Sequence, residues 1–160
     1  MNIREVVLRI KNELMSDGGE LEQACYRWIQ QVCRENSAAN IEVVDCGYDV
    51  SSFGRRTGEP IDASAFQTVE DFLEYPTGES VPTFMSGCGM AAQTYSDLLE
   101  EFIRDQIWEW MERKNLKSFV MDEEGMVDDD FCDISCENEA DCYYFLAFLS
   151  KKPFPALRAV

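Results

Sequence analysis

"AAQTYSDLLEEFIRDQIWEWMERKN", residues 91–115, decides the fold class: Ala91, Tyr95, Leu98, Leu99, Phe102, Ile103, Ile107, Trp110 and Met111 form one continuous apolar stripe at helical spacing. The stripe predicts a long amphipathic helix over about 91–114, with Asn115 as its stop. A face this wide can pack into the chain's own core or form the seam of a homodimer, and the sequence does not choose between them.

Working outward, "SGCGM" (86–90) reads as a glycine turn that sets Cys88 at the start of the long helix. Before it, Phe66, Val69, Phe72 and Leu73 predict a short helix in "SAFQTVEDFLEY" (64–75), closed by a loop, "PTGESVP" (76–82). "IEVVDCGYDV" (41–50) places Val44, Cys46, Tyr48 and Val50 on one side of a period-two pattern, which predicts a strand, and "SSFGRRTGEP" (51–60) follows as a loop. The first forty residues predict a helical hairpin: Ile3, Val6, Val7, Ile10 and Leu14, then a glycine stop in "SDGGE", then Leu21, Cys25, Trp28, Ile29 and Val32. After the long helix, "SFVM" (118–121) and "CYYFLAFL" (142–149) have strand-compatible length, and "ADCYYFLAFLSKK" (140–152) fits a buried helix equally well. The expected architecture is an α-rich α+β domain: a helical hairpin at the N-terminus, one long amphipathic helix and a small β-sheet, in a single globular domain over 1–160.

Composition agrees with one folded domain, since 160 residues with 46% apolar content suffice for a core. The net charge of −17 excludes the basic face that DNA, RNA or an anionic bilayer requires and points to a basic protein partner. No apolar run reaches membrane-span length, and "MNIREVVLRIKNELM" carries acids where a signal peptide is apolar, so the expected compartment is the cytoplasm. Seven cysteines without scaffold spacing predict reduced thiols, several of them buried.

The chain has no histidine, which removes Ser-His-Asp and Cys-His catalysis and His-ligated metal sites. Cys88 at a helix N-terminus would gain thiolate character from the dipole, whereas the surrounding carboxylates raise a thiol pKa; the alternative is a tight turn with a packed cysteine. Cys132, Cys136 and Cys142, with Cys46 or Cys88 as a fourth ligand, lack the C-x-x-C knuckles of a zinc site. No register of "DEEGMVDDDFCD" meets the EF-hand pattern. Arg55 and Arg56 read as a solvated turn. The sequence therefore predicts no catalytic residues, no metal and no cofactor.

The acidity is concentrated. Residues 119–150 hold ten acids and no base: Asp122, Glu123, Glu124, Asp128, Asp129, Asp130, Asp133, Glu137, Glu139 and Asp141. A chain of this mass exposes roughly 8,200 Å², so the average surface carries one net charge per about 480 Å², against roughly one per 110 Å² on duplex DNA. A fifth of that surface holding ten charges gives one per about 160 Å², within a factor of two of DNA. Interleaved aromatics, Phe119, Phe131, Tyr143, Tyr144, Phe145 and Phe148, are expected to anchor the segment to the core or to supply apolar hot spots.

In "MDEEGMVDDDFCD" (121–133), "CENEAD" (136–141) and its overall charge, the chain resembles, as a class, the acidic anti-defence proteins of phages and mobile elements, including antirestriction and anti-CRISPR inhibitors. The resemblance covers about a fifth of the chain. It implies a stoichiometric inhibitor that occupies the basic groove where a nuclease or surveillance complex holds nucleic acid, with the ten acids as the partner-binding patch. Two alternatives remain at this level: an immunity or antitoxin protein neutralising a basic toxin, and a small enzyme using Cys88 or a carboxylate pair.

Overall fold

The computed structural model describes residues 1–37, 61–83 and 89–155, with residues 37, 80–83, 89, 90, 129, 130 and 132–140 described by their backbone alone. It is an α+β structure. In chain order its elements are α1 (Ile3–Arg9), which runs on into a π-turn (Ile10–Leu14), α2 (Glu20–Ser37), α3 (Val69–Leu73), β1 (Pro76–Thr83), β2 (Gly89–Thr94), α4 (Tyr95–Arg113) and α5 (Asp129–Ser150). The chain divides into two compact units, Met1–Arg27 with Glu100–Leu149, and Trp28–Leu99 with Ser150–Val160.

In the first unit, α1 starts at a reciprocal cap, in which the Glu5 N–H donates to Asn2 Oδ1 at 3.0 Å and the Asn2 N–H to Glu5 Oε2 at 2.8 Å. The π-turn closes with the Met15 N–H donating to the Ile10 carbonyl at 3.0 Å and turns Ile10 and Leu14 inward, fully buried. The expected glycine stop is real: Gly18 has φ +69°, and its N–H donates at 2.6 Å to the buried Glu22 carboxylate in the first turn of α2. Ile103, Ile107, Trp110 and Met111 of α4 are buried, so this side of the stripe packs within the chain.

Asn115 ends α4 as the sequence suggests. It takes φ +57°; its N–H donates to Glu112 O at 3.0 Å and the Leu116 N–H to Met111 O at 2.8 Å, the paired bonds of a Schellman cap, with Leu116 and Met111 both buried.

The second unit is built on an aromatic cluster. Phe72 of α3 stacks on Tyr95 at 4.7 Å and meets the edges of Phe66 at 5.8 Å and Trp28 at 6.3 Å, and Phe154 lies 5.2 Å from Phe66. Residues 152–154 are pinned beside α3 by the Val69 N–H to Lys152 O (3.1 Å) and the Phe154 N–H to Gln67 O (2.9 Å). Strands β1 and β2 pair antiparallel, with Val81 opposite Ala91 and Pro76 opposite Thr94.

Three local expectations are corrected. "PTGESVP" is strand β1, not a loop: a two-stranded ribbon has free outer edges, which tolerate proline, and Gly78 with φ +94° sits at the irregularity between Pro76 and Ser80. The long helix begins at Tyr95, because residues 91–94 belong to β2. "CYYFLAFL" lies inside helix α5, the second of its two readings, and "SFVM" contributes a 3₁₀ turn (Lys117–Phe119) and one bridge between Met121 and Val127. The strand expected over 41–50 and the loop over 51–60 lie outside the described residues.

Candidate functional site

The acidic segment has two physically different parts. Its first part is a tight loop: the Asp122 N–H donates to Met126 O at 2.7 Å, and Gly125, at φ +79°, donates its N–H to Asp122 O at 3.1 Å. The Asp122 carboxylate is spent on this loop, accepting the N–H groups of Glu124 and Met126, each at 2.9 Å. Glu123 and Glu124 are exposed at its tip. The Asp128 N–H then donates to Val120 O at 2.8 Å, its carbonyl receives the Phe131 N–H at 2.9 Å, and α5 begins.

The second part is α5 itself. Asp128, Asp129 and Asp130 cluster at its N-terminus, where the macrodipole favours negative charge and gives their presence a structural cause. That cause fades within one turn. Asp129, Asp133, Glu137 and Asp141 stand at i, i+4, i+8 and i+12, so helical register sets the four positions in one row about 18 Å long, one acidic position about every 6 Å of helix axis. Asp130 falls beside the row, and Glu139 falls on the other side of the helix. The ten-residue patch is thus one row of four with Asp130 beside it, a helix-start residue (Asp128), a loop tip (Glu123, Glu124), a loop-building residue (Asp122) and an outlier (Glu139).

At the row's end, Asp141 holds its Oδ2 atom inward, 3.0 Å from the Lys11 ammonium of the π-turn. The pair is held by charge without an aligned hydrogen bond. Phe131, Cys142, Phe145, Leu146 and Leu149 bury the opposite side of α5. Tyr143 and Tyr144, expected as anchors or hot spots, stand out at 57% and 75% exposure, while the anchoring falls to Phe131 and Phe145. The sequence leaves open which aromatics anchor and which stand out; the i, i+3, i+4, i+7 spacing of Cys142, Phe145, Leu146 and Leu149 separates the two sets.

Among the described residues the thiols offer no comparable site. Cys25, Cys33 and Cys142 are free and buried, and burial pushes the Cys25 thiol up to about 12, with Glu22 adding to the effect, and Cys33 up to about 11. The helix start assigned to Cys88 is elsewhere: α4 opens after β2, where the Thr94 N–H donates to Asp97 Oδ2 at 2.9 Å. Cys46, Cys88, Arg55 and Arg56 lie outside the described residues, as do the side chains of Cys132 and Cys136. Among the described residues no group of three Cys, Asp or Glu side chains is placed to hold a metal ion, and no helix is long and apolar enough to cross a membrane.

No protein-family model, curated protein or solved structure matches this chain, so the reading of the site rests on its own residues.

Proposed function

We propose that this protein is a binding inhibitor and not an enzyme: it docks stoichiometrically on the basic, nucleic-acid-binding face of a defence nuclease or CRISPR-type effector, with the acidic side of α5 as its contact surface. The observation that carries the reading is the register row Asp129, Asp133, Glu137 and Asp141 on a helix that has no basic residue of its own. Like charges one helical turn apart cost a helix about 0.2–0.5 kcal/mol per pair, so three successive steps amount to roughly 1 kcal/mol. A surface that only needed solubility would interleave bases and avoid that cost; a surface that meets a cationic groove recovers it on binding.

The row's spacing also sets the kind of mimicry. One charge per about 6 Å of helix axis is roughly half the axial density of a single DNA strand, at one per 3.4 Å. The face fits as an electrostatic counterpart of a groove, without copying each phosphate. Lys11 on Asp141 is an internal example of a basic side chain seated on this row.

The test is affinity capture from the host cell with the wild-type protein and with Asp129→Asn/Asp133→Asn/Glu137→Gln, followed by titration of the captured protein's nucleic-acid binding. A basic nucleic-acid-binding protein held by the wild type alone, and blocked at a one-to-one ratio, is the expected result. Equal capture by both forms rules the row out as the contact surface. Capture of a basic toxin with no nucleic-acid-binding activity would replace the anti-defence role by an immunity role.

A further inference from the structure

Among the described residues the exposed large apolar side chains are Met1, Leu8, Phe119, Met126, Tyr143 and Tyr144, and only the last two adjoin in sequence on one helix. Isolated exposed apolar residues are ordinary; two neighbouring tyrosines at 57% and 75% exposure on an otherwise acidic helix are a docking feature. Helical register gives each tyrosine an acidic position one turn before it. Tyr143 follows Glu139 by four positions, and Tyr144 follows Glu137 by seven and Asp141, whose Oδ2 faces Lys11, by three. Glu139, which stands apart from the acidic row, acquires a place in this arrangement.

The same unit already contains one filled version of the pairing and a second cation seat of another form. On α4, Trp108 and Glu112 stand one turn apart and hold Lys117, whose ammonium lies 4.7 Å from the indole centroid and 3.1 Å from the carboxylate. The Arg9 guanidinium lies 5.9 Å from the Trp110 centroid while Glu13 accepts its Nε–H at 2.8 Å. In the first the carboxylate stands one turn from the ring and in the second one turn from the cation, so aromatic faces of this unit seat both lysine and arginine beside a carboxylate. The seats on α4 and α1 are taken by the chain's own bases, whereas Tyr143 and Tyr144 are exposed.

We propose that Tyr143 and Tyr144 are ring platforms for cationic side chains of a basic protein surface, and that they favour arginine over lysine. The inference rests on the reading of α5 as a docking face and names the partner chemistry that face selects. The acidic row supplies charge complementarity to either base. A guanidinium is planar and weakly hydrated, so it stacks on a phenol ring while donating to the neighbouring carboxylate; an ammonium is compact and strongly hydrated and gains less from the ring. Tyrosine also loses little side-chain entropy on ordering, which suits an anchor.

Deca-arginine and deca-lysine peptides are the probes, with affinities measured by titration calorimetry at one fixed salt concentration. Wild-type protein should bind deca-arginine roughly tenfold more tightly than deca-lysine, equivalent to about 1.4 kcal/mol. Tyr143→Ala/Tyr144→Ala should lose that preference while keeping its affinity for deca-lysine, and Tyr143→Phe/Tyr144→Phe should retain the preference. Both positions are exposed, and unchanged thermal melting checks the fold of each variant. Equal binding of the two peptides by the wild type, or an arginine preference that survives in the alanine pair, overturns the tyrosine inference and leaves the acidic face standing. Undiminished binding of both peptides to Asp133→Asn/Glu137→Gln, or no binding to the wild type, overturns the acidic face and the inference with it.

Discussion

Helices α4 and α5 are near equals in length, 19 and 22 residues, and each carries six acids, but they use them in opposite ways. Two of the acids of α4 are answered by nearby bases, Glu100 by Arg104 and Glu112 by Lys117, and Arg113 of the same helix reaches Glu20 of α2. No base lies on α5, and the one that reaches its Asp141 comes from the π-turn after α1. Charge on α4 is met in part by bases on the helix itself, whereas α5 carries six acids and no base of its own.

The largest effect that would sharpen this contrast is in α4. Trp110→Ala removes a buried ring and should cost about 3–5 kcal/mol in chemical denaturation, with any lost binding following from lost folding. Less than 1 kcal/mol would mean that the α4 stripe is not the structural helix described above.

Next is the helix stop. Asn115→Val forces a β-branched residue into the left-handed region and should cost roughly 1–2 kcal/mol, while Asn115→Gly should leave stability within a few tenths of wild type. Equal behaviour of the two variants would show that the cap is not needed.

On α5 the sign reverses. Asp133→Asn/Glu137→Gln breaks all three like-charge steps of the row and should raise stability by about 0.5–1 kcal/mol at low salt, with the gain shrinking as salt rises. The same variant should bind basic probes more weakly. If it is destabilised instead, the acids of α5 serve the fold and the contrast with α4 collapses.

The smallest effect concerns an acid that does serve the fold. Asp71 is held below the usual carboxylate range by the N–H groups of Thr68 and Gln67. A depressed folded-state pKa gives stability that is fully present above about pH 4 and is lost as pH falls through the lower folded value. Asp71→Asn should therefore lower stability near neutral pH, leave it little changed below the folded-state pKa, and so flatten the acid limb of the profile. An unaltered acid limb would remove Asp71 from that role.

Much of this was legible in the sequence where a single physical signal dominated. The α4 stripe, Asn115 and the glycine stop before α2 are positions where local propensity and burial agree. The α5 helix was harder because Tyr143, Tyr144 and Phe148 fill the gaps between Cys142, Phe145, Leu146 and Leu149, so apolar residues run on and the period disappears. Without a committed helix, the row 129, 133, 137 and 141 could be counted as charge per area but not recognised as a line. Strand β1 was hidden for another reason: Pro76, Gly78 and Pro82 are turn formers in most settings, and only an unpartnered ribbon edge accepts them.

The buried thiols turn the molecule into its own clock. Cys25 and Cys142 sit in one compact unit and Cys33 in the other, each free and buried, with Cys25 and Cys33 further silenced at neutral pH by raised pKa values. An alkylating reagent reaches them only when their surroundings open, so the rate at which each is modified reads the free energy of that opening. Peptide mapping of the labelled chain would time the two units separately in one tube, and a bound partner on α5 would register as a slowing of Cys142.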